Sequence, residues 1–129
     1  MNKTQQQIRD YFFSQKDEIC THLKHLMEIK SISDDRKACK EALRYVIRLA
    51  ESFGMKTAVG KHDDVGVIEI GEGRLTLGIL AHGDVVDEGS LAAWNYEPFT
   101  LTETDGMFYG RGIVDDKGPV IVSLYAMKF

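Results

Sequence analysis

Residues 75–87 read Leu-Thr-Leu-Gly-Ile-Leu-Ala-His-Gly-Asp-Val-Val-Asp, a mostly apolar run that ends in a histidine, a glycine and an aspartate. An apolar run of this length with branched residues is typical of a buried strand, most simply one covered on both faces. We therefore predict a strand over residues 75–81. Ligands of open α/β sheets bind beyond the carboxyl ends of the strands, where His82 and Asp84 fall. Because residues i and i+2 of an extended chain share a face, both side chains can act on one object.

The chain before this stretch is predicted to form two helices and two short strands. Apolar residues at three- and four-residue steps indicate one helix over about residues 5–29 and another over about residues 36–53. Gly54 then stands where a left-handed C-cap is expected. Strands are predicted at residues 55–59 and 65–70, with a polar turn between them.

The chain after this stretch is predicted to form a hairpin and a last helix. Asp105-Gly106 is a hairpin-type turn signal between residues 99–104 and 107–109. Pro119 opens a helix predicted over residues 120–129, because proline is favoured at the start of a helix. This order of helices, strands and a further helix describes an α/β layer structure.

The composition indicates a soluble globular chain of one domain, with 129 residues, 43% hydrophobic and 28% charged. A net charge of −4 argues against nucleic-acid binding as the main function. Cys20 and Cys39 form no Cys-x-x-Cys pair, so we expect free thiols and a reducing cytoplasm. The N-terminus lacks the apolar segment of a secretory signal, and no apolar run approaches the ~20 residues of a membrane span. We therefore expect a cytoplasmic protein without a membrane partner.

The spacing of the glycines and of Lys117 in residues 110–118 does not match the nucleotide-binding motifs. A dinucleotide fingerprint needs a third glycine after Gly110-Arg-Gly112, but Asp115 stands at that position. A phosphate-binding loop needs lysine and then serine or threonine after its last glycine, whereas Lys117 precedes Gly118. Both readings are excluded.

A metal site agrees better with the same residues. Histidine and carboxylate side chains suit zinc, manganese or cobalt, and two metal ions about 4 Å apart can share one bridging carboxylate. His82 and Asp84 have the arrangement of a ligand and the partner that holds its second ring nitrogen. Asp115 or Asp116, in a glycine-rich loop, could supply the bridge.

Three separated motifs together carry a resemblance to a known family. They are His-Gly-Asp-Val-Val at residues 82–86, Trp94 with Pro98-Phe99, and Tyr-Gly-Arg-Gly-Ile-Val-Asp-Asp-Lys-Gly-Pro at residues 109–119. This pattern resembles the M20 family of metallopeptidases and is most similar to its PepV-like dipeptidase branch. One departure is Asp87, which stands where that branch usually has proline.

The resemblance implies a fold, an activity and a cofactor. Residues 1–129 would be the N-terminal part of a three-layer α/β/α catalytic domain with a mixed sheet, incomplete and without the lid or dimerisation domain. The complete site would hold two zinc ions, with manganese or cobalt possible, and would hydrolyse dipeptides. Two alternatives stay open: a deacylase or aminoacylase acting on N-acyl amino acids, and a non-catalytic truncated product. The substrate would be a small peptide or N-acyl amino acid, and the oligomeric state stays open.

The resemblance also implies residue roles. His82 would bind one metal, Asp84 would act in catalysis by orienting His82, and Asp115 would bridge both metals. In the family, the peptide bond that follows this bridging aspartate is often cis. Trp94 and Phe99 would pack the adjoining loop. In members of the family, the catalytic glutamate and the remaining ligands lie well beyond the bridging aspartate. In this sequence nothing after Lys117 can supply them. We therefore expect the isolated chain to show little or no turnover.

Other possible ligands have simpler explanations. We expect His22 and His25 to lie on a solvated helix face, and residues 62–64, His-Asp-Asp, to form a polar turn. Cys20 and Cys39 are expected to be buried or half-buried thiols.

Overall fold

The computed structural model describes residues 2–129. These residues form, in order, α1 (Lys3–Ser14), α2 (Lys16–Glu28), α3 (Arg36–Ser52), β1 (Lys56–Val59), β2 (Gly66–Glu69), β3 (Thr102–Thr104), β4 (Met107–Tyr109) and α4 (Lys117–Lys128). A short 3-10 helix, Leu91–Ala93, lies in the long connection between β2 and β3.

The single helix predicted over residues 5–29 is wrong in one respect, because it is divided at Gln15 into α1 and α2. The Gln15 N–H is shared between the carbonyls of Tyr11 and Phe12, at 3.1 and 3.3 Å. This tightens the backbone at Gln15 (φ −97°, ψ 0°) and interrupts the regular helical pattern. The sequence carries neither glycine nor proline there, so the usual breaking signals were missing.

Helix α3 and its two ends agree with the prediction. The Asp35 carboxylate caps the helix by accepting from the N–H groups of Lys37 and Ala38, at 3.1 and 3.0 Å. At the other end Gly54 has φ +78°, the left-handed conformation that favours glycine after a helix. The helix packs against both β1 and β2.

The buried core lies between α2, α3 and α4. Helices α2 and α3 each turn one apolar face inward, whereas α4 is buried over much of its first two turns. None of residues 3–14 is buried, so α1 lies on the outside of the molecule. The residues of the core are Leu23, Leu26, Met27, Ala42, Val46, Leu49, Ala50, Met55, Val120, Ile121, Leu124 and Tyr125.

Lys117, the first residue of α4, is fully buried beside this core. Its Nζ donates to the carbonyl of Leu26 at 3.0 Å and to that of Ile29 at 2.6 Å. The last carbonyls of a helix have no partner within it, so Lys117 satisfies the end of α2 and ties it to α4. Burial lowers the pKa of Lys117 to about 8, because desolvation penalises the charged form.

Helix α4 begins earlier than the predicted residue 120. Asp116 is its N-cap, and Pro119 lies within the first turn. A proline costs no hydrogen bond there, because the first N–H groups of a helix have no intrahelical acceptor. Among the helices of residues 2–129, none combines the length and apolar character that crossing a bilayer requires.

Two antiparallel strand pairs make up the sheet structure of the described residues. In the first, β1 runs against β2 from the pair Lys56–Glu69 to the pair Val59–Gly66. In the second, β3 and β4 are joined by Asp105 and Gly106, whose φ values of 52° and 73° are those of a two-residue hairpin turn. The predicted hairpin is confirmed.

The strand predicted over residues 75–81, called the apolar segment from here on, is not formed. These residues have no regular secondary structure, and Leu75, Leu77 and Leu80 are 95%, 89% and 100% exposed. A strand needs a neighbour to accept and donate its backbone hydrogen bonds. Within residues 2–129, β2 pairs only with β1, and no other strand lies along the apolar segment. The prediction was wrong because an apolar run reports apolar character and not the presence of a partner strand.

Candidate metal centre

The turn that carries His82 is anchored to the connection between α2 and α3. Val85 makes a parallel bridge to this connection, donating its N–H to the Ser31 carbonyl at 2.9 Å and accepting from the Ser33 N–H at 3.0 Å. The hydroxyl of Ser31, a fully buried residue, donates to the Gly83 carbonyl at 2.6 Å. His82 therefore lies on a turn that is held from one side by backbone hydrogen bonds.

The imidazole of His82 lies between two carboxylates. Its Nδ1 is 3.1 Å from the carbonyl oxygen of Asp84 and 3.2 Å from that residue's Oδ1. Its Nε2 is 2.9 Å from Oδ1 of Asp115. The three residues that the sequence suggested for the site are thus brought together, with one ring nitrogen facing each aspartate.

The glycine-rich loop before α4 places Asp115 opposite His82. Gly112 has φ +87°, and a Cβ there would press on neighbouring side chains, so the loop needs glycine at this point. The peptide bond between Asp115 and Asp116 is cis, as expected from the resemblance. Asp116 turns its carboxylate back and accepts from the His82 N–H at 3.1 Å.

The electrostatics of the site favour the protonated form of His82 and the ionised form of Asp84. Partial burial acts to lower the pKa of His82, but the hydrogen bonds to Asp84 and Asp115 and the nearby negative charges outweigh it, and the pKa is raised. The pKa of Asp84 is lowered, chiefly because the Ser33 hydroxyl donates to its carboxylate at 2.7 Å and also because of His82. Asp84 is therefore ionised at neutral pH and holds the Nδ1 side of the ring.

A cavity of about 370 Å³ lies beside these residues and opens to solvent. Its wall includes Ser33, His82, Asp84 and residues 110–115. Arg111 approaches from the rim, with its guanidinium 4.9 Å from the ring centre of Trp94, whose Nε1 donates to the Glu88 carbonyl at 2.7 Å. The volume falls within the range of small-molecule sites.

The donor atoms of His82 and Asp115 fit one side of a metal site. Imidazole nitrogen and carboxylate oxygen are the ligands that zinc takes in catalytic sites, and Asp84 provides the outer partner that fixes the ring. A catalytic zinc ordinarily has three protein ligands. Within residues 2–129 there is no group of three or more histidine, cysteine, aspartate and glutamate side chains that could hold a metal ion. His82 and Asp115 alone do not reach this number.

Two residues at the site were not assigned a role from the sequence. Ser33 had no predicted role, yet its hydroxyl donates to the Asp84 carboxylate across 51 positions of the chain. Asp116 was considered only as an alternative bridge, yet it holds the His82 backbone. No local signal could have found the first contact, because it depends on the bridge at Val85.

The other candidate ligands lie elsewhere. His25 is exposed, as expected, but His22 is half-buried and its Nδ1 lies 2.8 Å from the Tyr45 hydroxyl, so that part of the prediction was wrong. The helix face that carries His22 packs on α3, which the spacing alone did not indicate. Cys20 and Cys39 are free and half-buried, as predicted.

Histidine and aspartate side chains at an open cavity are the residue types that catalytic metal sites use. Residues 78–128 match peptidase family M20/M25/M40, and this range contains His82, Asp84 and Asp115. The predicted resemblance to the M20 family, and to the dipeptidases within it, is confirmed.

Individual relatives agree with this family match. The chain is 42% identical over 115 residues to a Staphylococcus epidermidis protein named "Putative dipeptidase", a match covering 82% of this chain and 24% of that protein. It is 39% identical over 129 residues to a Staphylococcus saprophyticus protein of the same description, covering 93% of this chain and 27% of that one. The chain thus spans about a quarter of the length of these relatives.

A solved structure supports the fold. The crystal structure of human carnosine dipeptidase 1 superimposes with a TM-score of 0.73 at 25% sequence identity, over 92% of this chain and 29% of that one. The predicted α/β class of a metallopeptidase catalytic domain is confirmed by this match. The β-structure of residues 2–129 consists of two antiparallel strand pairs and one parallel bridge.

Proposed function

We propose that residues 1–129 form the N-terminal part of the catalytic domain of a metal-dependent dipeptidase. The observation that carries the proposal is the position of the His82 ring, which has Asp84 on its Nδ1 side and Asp115 on its Nε2 side. This is the arrangement of a metal-binding histidine with its orienting carboxylate and a second ligand. The dipeptidase names of the relatives support a small peptide as the substrate.

Each residue has a separate task in this proposal. In the metal-bound site Asp84 would hold the proton of Nδ1, and Nε2 of His82, which faces Asp115 in this structure, would lose its proton and bind the ion. Asp115 would bind the same ion and bridge to a second one. Two zinc ions, or manganese or cobalt, would polarise the scissile carbonyl and lower the pKa of a water molecule.

The proposal also requires residues from outside this chain. The last glutamate is Glu103 and the last histidine is His82, so no general base or further ligand follows Asp116. By the resemblance, a later glutamate would take the proton from water. The two free cysteines support a reducing, cytoplasmic compartment.

Metal titration of the 129-residue chain tests the ligand assignment. We expect zinc or cobalt binding, followed by calorimetry or by the cobalt absorption spectrum, to disappear in His82→Ala. We expect Asp84→Asn to weaken it by about 10- to 100-fold, as loss of an outer partner does. His62→Ala, in an exposed turn, is the matched control and should bind as the unaltered chain does. Unchanged metal binding in His82→Ala would show that the assignment is wrong.

Hydrolysis assays test the activity. A longer protein that contains residues 1–129 is expected to release amino acids from dipeptides but not from N-acetyl or N-succinyl amino acids. The 129-residue chain with added zinc, manganese or cobalt is expected to show little or no turnover. Efficient turnover by the short chain would contradict the conclusion that its site is incomplete.

A further inference from the structure

The connection between α2 and α3 supports both sides of the candidate site. The carbonyl of Ile29 accepts from Lys117, at the start of the helix that follows Asp115, at 2.6 Å. Residues 31–33 make the parallel bridge to the turn that carries His82. One short segment therefore contacts the two parts of the chain that supply the candidate ligands.

The backbone and the hydroxyl of Ser33 have different partners. The N–H donates to the Val85 carbonyl at 3.0 Å, so the backbone holds the turn without help from the side chain. The hydroxyl oxygen lies 2.7 Å from Oδ2 of Asp84 and 3.2 Å from the Val85 carbonyl. A hydroxyl has one proton, and the shorter bond to a carboxylate is the stronger of the two. The hydroxyl of Ser33 is therefore directed at Asp84.

The two carboxylate oxygens of Asp84 face different partners. Oδ2 accepts from Ser33, and Oδ1 lies 3.2 Å from Nδ1 of His82. The Asp84 side chain is 44% exposed, so packing alone leaves its torsions free to change. Because the Ser33 bond fixes one oxygen, it also directs the other oxygen towards the imidazole.

We propose that Ser33 is a positioning residue, which holds the Asp84 carboxylate against His82 and thereby strengthens metal binding at the other ring nitrogen. The inference rests on the proposed function, because it adds a residue behind the orienting carboxylate of a metal-binding histidine. Carboxylates next to metal sites are themselves held by hydrogen bonds, which fix the orientation of the ligand. With Asp84 already ordered in the folded chain, metal binding does not have to order it.

A role for the Ser33 hydroxyl in the fold alone fits less well. Three other hydrogen bonds already join the connection to the turn: Val85 N–H to the Ser31 carbonyl, Ser33 N–H to the Val85 carbonyl, and the Ser31 hydroxyl to the Gly83 carbonyl. Ser33 itself is exposed and lies in the wall of the cavity. Loss of its hydroxyl should therefore leave the fold intact.

Zinc titration of the 129-residue chain, followed by calorimetry, tests the effect on the metal. Ser33→Ala should weaken zinc binding by about 10-fold, the effect of one hydrogen bond to a charged group. Ser33→Thr keeps the hydroxyl and should bind within about 2-fold of the unaltered chain. Ser90→Ala is the matched control, because Ser90 is an exposed serine whose side chain makes no capping hydrogen bond. It should bind zinc as the unaltered chain does.

NMR of the metal-free chain tests the positioning directly. Three-bond couplings to the β-protons of Asp84 report whether its χ1 angle occupies one rotamer or several. We expect one rotamer in the unaltered chain, several in Ser33→Ala and one again in Ser33→Thr. The reference is Asp35, a carboxylate held by the first N–H groups of α3, whose couplings should not change.

A double-mutant cycle tests whether Ser33 acts through Asp84. Asp84→Ala removes the acceptor, so adding Ser33→Ala to it should change zinc affinity by less than about 2-fold. A further loss of about 10-fold in that background would show that the hydroxyl acts by another route.

Three results would overturn the role assigned to Ser33. They are unchanged zinc affinity in Ser33→Ala, an Asp84 side chain that stays in one rotamer in that variant, and a loss of affinity that persists in the Asp84→Ala background. Failure of the proposed function looks different. An unaltered chain that binds no zinc contradicts the proposed function, and the rotamer of Asp84 then decides whether Ser33 positions it.

Discussion

The helix α4 and the apolar segment are similar in composition but opposite in their surroundings. In α4, Val120, Ile121 and Leu124 are buried in the core, whereas Leu77 and Leu80 of the apolar segment lie almost wholly in solvent. A helix makes its backbone hydrogen bonds within itself and needs only neighbours for its apolar faces. A strand needs partners along its edges as well. The difference shows that α4 has its packing partners among residues 2–129 and that the apolar segment does not.

Truncation of one leucine in each region is expected to give the largest contrast. Leu124→Ala removes a buried side chain of α4 and should lower the free energy of unfolding by about 2–5 kcal/mol. Leu80→Ala removes a fully exposed side chain and should change it by less than about 0.5 kcal/mol in the same chain. Urea unfolding followed by circular dichroism measures both. Equal losses would mean that the apolar segment is buried in solution.

Lys117 tests how tightly α4 is joined to the end of α2. Burial lowers its pKa from 10.5 to about 8, so between these values the unfolded chain binds more protons than the folded one. Stability must therefore rise with pH in this window, by up to about 3 kcal/mol. Lys117→Met removes the titrating group and should flatten that part of the profile.

The measurement for Lys117 is urea unfolding of both proteins between pH 7 and 10.5. The lysine-containing chain should gain stability relative to Lys117→Met as the pH rises, because its ammonium loses the proton that is costly to bury. At pH 7 the difference between the two proteins combines the cost of burying the ammonium with the gain from its two carbonyl hydrogen bonds. A difference between the two proteins that is constant across the window would contradict the lowered pKa.

Two glycines give a smaller but cleaner contrast. A Cβ at Gly118 would collide with the backbone of Ile113, so Gly118→Ala should destabilise the chain by about 1–3 kcal/mol. A Cβ at Gly78, in the apolar segment, would meet nothing within 4 Å, and Gly78→Ala should stay within about 0.5 kcal/mol. Thermal unfolding followed by circular dichroism distinguishes them. A large loss for Gly78→Ala would indicate packing in this segment that the structure does not contain.

Local signals predicted the helices and turns well. The cap at Asp35, the left-handed Gly54 and the hairpin turn at Asp105-Gly106 each depend on a few adjacent residues. The division at Gln15 was missed because it leaves no compositional mark. The prediction of a strand over residues 75–81 was wrong because strand formation depends on neighbouring strands, which an apolar run does not describe.

The sequence predicted which residues make up the candidate site but not which residues hold them in place. His82, Asp84 and Asp115 were selected from their chemistry and from the resemblance of their motifs, and the structure places the carboxylates of Asp84 and Asp115 beside the two nitrogens of the His82 ring. Ser33 and Lys117 were not given their observed roles. Both act across long stretches of chain, on Asp84 and on the end of α2, and long-range contacts leave no spacing to recognise.

By itself, then, the sequence determined the residue chemistry of the site, the M20 resemblance and the helical elements, because these depend on residue type and local spacing. Only the tertiary structure decided that the run ending in His82 lies exposed and that its turn is held by Ser31 and Ser33. It also decided that the Lys117 side chain joins α4 to the end of α2 through two hydrogen bonds. The physical reason is that burial and hydrogen-bond pairing belong to pairs of distant segments, and neither segment specifies its partner alone.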